Sequence, residues 1–324
     1  MKSTYRDSSL LLGALVSLAL ACSDSSGPTT PVEPGDPAGG GDTAQGGSSN
    51  GAESPTMPPS GSGDFAMTGD DSAVCASAIF CDGFEDAAVD VAPAGAWTPT
   101  QTNGTVRVDA SRPFRGAHAV KATTLATAVT GQTYKQALIG LASTPVIPLM
   151  DNKVYGRMMF YLESVPSADV HWTIIDGKGP IPGQTYSATY RYGGQKPVQG
   201  GSQWMANYDT TDFFATPSNG PNTDCYQHAQ GKVAPVGKWS CAEWYFDGQN
   251  NQMRFWLDGT ELTDLAVNGT GEGCVGQPVG YTWTAPTFSR LDVGWESYKE
   301  DDERSIWIDD VVISSSQVGC PARE

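Results

Sequence analysis

Positive charge is scarce in this chain: 19 Lys and Arg stand against 36 Asp and Glu over 324 residues, a formal charge of −17. That balance speaks against a nucleic-acid partner, because affinity for a phosphate backbone comes from clustered cations. Histidine is scarcer still. His118, His171 and His228 make up the full set, and no two have the spacing of a zinc pair. No GxSxG elbow occurs, which removes the common serine-hydrolase arrangement. No strand-like segment carries the ExDxxE pattern with which jelly-roll glucanases flank a glycosidic bond, and "ESYKEDDE" reads as a solvated, turn-like charge run. No cysteine pair has CxxC spacing, and no amphipathic helix runs beyond two turns.

Long apolar runs are also missing, with one exception. "LLLGALVSLALA" follows Lys2 and Arg6, is too short to span a bilayer as a mature helix, and ends in small residues before Cys22. This reads as a secretory signal over residues 1–21. The "ALAC" ending resembles a bacterial lipobox, with Ala19 where Leu is usual, and implies lipidation of Cys22. Residues 22–73 then read as a disordered acidic tether rich in Gly, Ser, Pro and Thr. From residue 23 on it holds eight acids and no Lys or Arg, and almost nothing to bury. The expectation is a lipoprotein of the cell envelope, on the outer membrane or facing the exterior, with the lipid as its sole membrane contact.

Six cysteines remain after Cys22: Cys75, Cys81, Cys225, Cys241, Cys274 and Cys320. An even number in an exported chain predicts three disulfides. The sequence-local pairings are Cys75 with Cys81 and Cys225 with Cys241, and the connectivity stays open.

Residues 74–324 hold short segments rich in aromatic and β-branched residues, broken by Gly, Asn, Asp and Pro. "NKVYGRMMFYLESV", "ADVHWTIID", "QTYSATYRY", "SQWMANYD", "KWSCAEWYF", "QMRFWLDG", "SRLDVGWESY" and "SIWIDDVVIS" all read as strands. So many strands at short spacing predict an all-β fold, a two-sheet antiparallel sandwich of jelly-roll type.

Period-two alternation sorts the side chains. Trp172 and Ile174 oppose His171 and Thr173. Tyr190 and Tyr192 oppose Thr189 and Arg191. Trp204, Ala206 and Tyr208 oppose Gln203, Met205 and Asn207, while Leu291, Val293 and Trp295 oppose Asp292, Glu296 and Tyr298. The apolar faces predict the core, and the polar faces predict a shared groove. In "RSIWIDDVVIS", strict alternation puts Trp307, Asp309, Val311 and Ile313 on one side and Ile308, Asp310 and Val312 on the other. Each apolar side then carries an aspartate that needs a partner.

"FCDGFED", "GKWSCAEWYFDGQNNQMRFWLDG" and "RLDVGWESYKEDDERSIWIDDVVIS" together resemble the core domain of the fungal cellulose-induced protein family and its bacterial relatives. The resemblance spans residues 74–324 and implies a concanavalin A-like jelly roll related to glucuronan and alginate lyases. It implies neighbouring first and last strands with structural calcium held by Glu85 and Asp309. It also implies a polysaccharide partner, acidic or of plant cell-wall type, and, in some members, cleavage of polyuronates by β-elimination. Main-chain oxygens in "SRPFRGAH" would complete the calcium shell, since calcium takes six to eight oxygens. The RxELR and QIH strings of alginate lyases are absent.

Elimination needs a neutralised carboxylate, a base for the C5 proton and an acid for the leaving oxygen. By resemblance His171 and Tyr298 match the groove His and Tyr. Alternation adds Arg191, Asn207 and Gln203 as neutralisers. Two other classes stay open. A carbohydrate-binding module or surface adhesin would use the same groove, with Tyr190, Trp204 or Trp256 stacking on sugar rings. A structural lipoprotein would need neither His171 nor Tyr298.

Overall fold

The computed structural model describes residues 71–126, 134–210, 220–221 and 223–321. The signal segment, Cys22 and the tether up to residue 70 lie outside them. A short helix, α1 (Asp71–Ser77), leads into seventeen strands arranged in two antiparallel sheets.

The back sheet contains β1 (Phe80–Asp82), β3 (Gly104–Asp109), β4 (Ala119–Thr124), β6 (Lys153–Leu162), β11 (Trp239–Asp247), β12 (Gln252–Leu257), β13 (Thr260–Glu261), β14 (Val267–Asn268) and β17 (Arg304–Ser314). The front sheet contains β2 (Trp97–Thr102), β5 (Lys135–Leu141), β7 (Trp172–Pro180), β8 (Ser187–Val198), β9 (Gly201–Thr210), β10 (Asp224–Val233), β15 (Gly273–Val275) and β16 (Arg290–Ser297). Its order is β15-β10-β9-β8-β7-β16-β5-β2. The fold is the jelly-roll sandwich that the strand pattern predicts.

The core between the sheets is aromatic. Trp172 stacks on Trp295 at 5.0 Å and 6°, Trp204 meets Trp172 at 5.5 Å and Phe255 at 5.0 Å, and Tyr192 meets Phe255 at 4.9 Å. Such pairs add roughly 0.5–1.5 kcal/mol each beyond the area they bury. The Tyr190 hydroxyl is satisfied by donating to the Trp283 carbonyl at 2.8 Å.

Of the register shifts in the two sheets, two bear on which residues face the core. In β17 the register with β6 shifts between Asp309 and Val312, and Asp310 adopts φ 47°. Ile306 and Ile308 face the core before the bulge, and Val311 and Ile313 face it after. Strict alternation over "RSIWIDDVVIS" is therefore corrected: one extra residue rotates the strand, and Trp307, Asp309 and Val312 fall outside the core cluster. In β7 a bulge between Thr173 and Ile175 lets Ile174 and Ile175 both enter the core and returns Asp176 to the polar face.

The disulfides are Cys75–Cys81, Cys225–Cys274 and Cys241–Cys320. Pairing Cys225 with Cys241 is overturned, because the two lie in different sheets. Cys225 faces the core directly opposite Cys274 of β15. Cys241 lies in the back sheet and reaches the C-terminal segment, where Gly319 also binds Arg157 and Glu243.

Candidate functional site

The polar face of the front sheet is a grid set by strand register. One row reads Asp292, Asp176, Arg191, Asn207 and Tyr226 across β16, β7, β8, β9 and β10. The row on one side reads Arg290, Lys178, Thr189, Asp209 and Asp224. The row on the other reads Gln136, Glu296, Thr173, Gly193, Met205 and His228. Beyond it, Tyr298 follows β16 and His171 precedes β7, joined by a hydrogen bond from the Tyr298 amide to the His171 carbonyl at 3.3 Å.

Four of the predicted residues meet. The His171 and Tyr298 rings lie 4.6 Å apart, tilted by 41°. The Arg191 guanidinium sits 5.5 Å from the Tyr298 ring centroid and donates to Asn207 Oδ1 at 3.3 Å. The Tyr298 hydroxyl is 3.4 Å from Thr173 Oγ1. Gln203 shares the face, but its amide is spent on the Ala229 carbonyl at 3.0 Å. Asn207 likewise donates to Asp224 at 2.7 Å and to the Cys225 carbonyl at 2.9 Å, so its role is to fix the floor beside Arg191.

The proposed sugar-stacking aromatics are placed elsewhere. Tyr190 and Trp204 are at 0% exposure in the intersheet core, and a ring with no open face cannot stack on a sugar. Trp256 belongs to the back sheet, alternating with core residues Met253 and Phe255 and paired with Glu243 and Glu261, away from the groove.

Electrostatics give each groove group a state. Burial drives the His171 pKa down to about 3, and the Arg191 charge acts in the same direction. The imidazole is therefore neutral at ordinary pH, and its enclosed Nε2 has no hydrogen-bond partner. Burial holds the Tyr298 phenol well above its usual range. Arg191 loses stability as a cation through burial, yet Asp209, in contact with it, together with Tyr298, Glu296 and Asp176 outweighs that and keeps it charged.

Several contributors escaped the sequence reading. Tyr134 donates to Glu296, which Gln136 also reaches at 3.2 Å, and the Tyr134 ring lies 5.7 Å from Tyr298. Asp176 and Asp292 face each other across β7 and β16. Burial pushes the Asp176 carboxyl well up, and Asp292 and Glu296 reinforce this. Burial works on Asp292 too, but Lys178 and Arg290, each at 2.7 Å, outweigh it and keep it ionised. His228 is a strand residue, 2% exposed and paired with Glu272. Asp292, Glu296 and His228 are polar residues on alternating strands, so their face was readable once the strand was drawn, whereas Asp176 reaches it only through the β7 bulge and Tyr134 precedes its strand. The neighbour of each on the next strand was not readable.

Glu85 and Asp309 lie at the junction of the chain ends, where β1 pairs with β17 as the resemblance implied. Asp309 Oδ2 accepts from the amides of Phe114 and Arg115 at 2.9 and 3.2 Å. Glu85 accepts from the amides of Ala117 and His118. Gly116, at φ +66°, has no room for a side chain, since a Cβ would lie 2.2 Å from Glu85 Oε1. Burial and the adjacent Asp310 push Asp309 up to about 7, against the amide hydrogen bonds. Among the described residues no three His, Cys, Asp or Glu side chains cluster at metal-binding distance.

This is a two-sheet jelly roll with a row of polar side chains across one face of the front sheet. A family profile described as polysaccharide-lyase-like, Cip1-like core domain matches residues 83–316, and the chain belongs to that family. A solved structure of cellulose induced protein, Cip1, is similar at 20% identity and TM-score 0.51, covering 74% of this chain and 99% of that one. The catalytic domain of a glycoside hydrolase family 131 protein from Coprinopsis cinerea is similar at 10% identity and TM-score 0.44, over 76% and 98% of the two chains. A carbohydrate esterase from the Shiga toxin-encoding bacteriophage phi24B is similar at 14% identity and TM-score 0.41, over 73% and 97%. Among curated proteins, none matches.

Proposed function

We propose that the groove binds an acidic polysaccharide and cleaves it by β-elimination. The observation that carries this reading is the contact of a neutral imidazole, a phenol and a guanidinium: His171 4.6 Å from Tyr298, and Arg191 5.5 Å from the same ring. Arg191 would meet the uronate carboxylate, with Asp209 sharing its charge. His171 Nε2, neutral and unpartnered, would take the C5 proton. The C4–O bond breaks as the C4–C5 double bond forms, and the Tyr298 hydroxyl protonates the departing oxygen. A phenol held above its usual pKa suits the acid role better than that of an ionised base. His171→Ala and Tyr298→Phe should each lower turnover at least about a hundredfold on glucuronan, with the fold intact by circular dichroism.

One observation favours a second reading. Asp176, Asp209, Asp224, Asp292 and Glu296 outnumber Lys178, Arg191 and Arg290 on the groove face. Such a surface suits the hydroxyls of a neutral sugar, and a non-catalytic binding module would follow. Binding of cello-oligosaccharides that survives His171→Ala, Tyr298→Phe and Arg191→Ala, without product from any polyuronate, would favour it.

Calcium at Glu85 and Asp309 is part of the proposal. What supports it is a buried carboxyl, Asp309, raised by its neighbour Asp310 and short of positive charge. Asp309 Oδ1 and Glu85 Oε2 each accept a single amide and keep a second lone pair, and backbone carbonyls would supply further ligands. The ion would act structurally, tying the first strand to the last. Lipidation at Cys22 and an envelope location are likewise proposed, from the signal-like segment and the acidic stretch after it. Mass spectrometry of the mature N-terminus checks this, and a free amine on any other residue would end it.

A further inference from the structure

The far wall of the groove holds a second imidazole that the elimination scheme leaves unused. His228 of β10 lies directly across from Met205 of β9 and in the same row as Gly193 and Thr173. It is 2% exposed. Its Nδ1 is 2.9 Å from Glu272 Oε2, and its own amide donates to the same oxygen at 3.1 Å. Partial burial works to raise the Glu272 pKa, but the two hydrogen bonds from His228 outweigh it and hold the carboxyl below its usual value. A carboxylate accepts, so Nδ1 is the donor to it, and in that tautomer of the ring Nε2 is the acceptor. That Nε2 is enclosed and has no hydrogen-bond partner. A buried acceptor left unmade costs about 1–3 kcal/mol, a cost that a ligand donor would remove.

The surroundings say what kind of donor fits. The Tyr226 ring is 5.1 Å from the imidazole and half-exposed, and the Lys196 ammonium lies 5.7 Å from that ring. Met205, across from His228, is unbranched and adaptable, the side chain best able to yield to an incoming ring. A polymer lying across the strands meets a new strand about every 4.8 Å, close to the length of one sugar.

We propose that His228, oriented by Glu272, is a substrate-binding residue: its Nε2 accepts a ring hydroxyl of a sugar beside Met205, adjacent to the sugar that meets His171 and Tyr298. Lys196 at the rim would face that sugar's carboxylate. This subsite rests on the groove being the saccharide site, and it does not depend on elimination.

The test is calorimetric binding of glucuronan oligosaccharides and cello-oligosaccharides to wild type, His228→Leu and Glu272→Gln, with turnover and melting temperature measured alongside. His228→Leu should weaken binding about tenfold and raise KM with kcat little changed, a split that a merely structural residue would not give. Glu272→Gln frees the other tautomer and should give a smaller loss in the same direction, which serves if the leucine variant fails to fold. Wild-type affinity in both variants would overturn the proposal, and so would a wild type that binds neither saccharide. Binding by wild type without unsaturated product would end the elimination reading and leave His228 in place.

Discussion

At the residue scale the account turns on His171. Its neutrality follows from burial first and from Arg191 second. The consequence for stability has a definite sign. Unfolded, an imidazole takes up a proton near pH 6.5; folded, this one does so only near 3. Between those values the unfolded state binds more protons, so stability is fully present above about 6.5 and is lost as pH falls toward 3. The melting temperature should therefore drop across that window, and His171→Phe should flatten the drop. An unchanged acid limb in the variant would contradict the assigned state. Arg191 and Asn207 were legible because alternation fixes the face of a strand residue, and His171 and Tyr298 because the resemblance marked them. Tyr190 and Trp204 were misjudged as sugar platforms although the same alternation put them on apolar faces, since aromatic identity alone does not tell core from groove.

At the scale of the element, the bulges decide what the groove looks like, and neither was legible. A bulge adds one residue to one strand, and a period-two pattern has no means of announcing it when both flanking faces are apolar. In β7 the bulge brings Ile174 and Ile175 inward together and sets the strand's backbone against Gly193 of β8. Gly193→Ala would force a Cβ to within 1.9 Å of the Trp172 carbonyl oxygen, a contact with backbone and not with a yielding side chain. The variant should lose at least about 1–3 kcal/mol in urea unfolding. It should also lose saccharide binding beyond what its stability explains, because the strand carrying Thr173 must move. Wild-type stability in Gly193→Ala would show that the bulge is not as tight as described. In β17 the bulge answers the problem of the two aspartates: it takes Asp309 out of the core and onto the amides of Phe114 and Arg115.

For the whole molecule, the strand pattern and the resemblance together conveyed the sandwich and the neighbouring chain ends. The local pair Cys75–Cys81 was legible, but the other two disulfides were not, because which sheet a strand joins is a long-range fact. Cys241–Cys320 spans 79 residues and ties the C-terminal segment to the back sheet. Replacing both with Ser should cost roughly 2–5 kcal/mol and leave kcat unchanged, since the groove belongs to the other sheet. Calcium at Glu85 and Asp309 would bind the native state alone, so a chelator should lower the melting temperature, and Asp309→Ala should abolish that sensitivity. Identical melting of wild type with and without chelator would refute the site. The most direct measurement of the central claim is incubation of the wild-type protein with glucuronan, alginate and pectin, following ultraviolet absorbance of the unsaturated uronate. The account predicts product from at least one polyuronate, abolished in His171→Ala and Tyr298→Phe. A folded, calcium-supplied protein that yields no unsaturated end from any of them would contradict it.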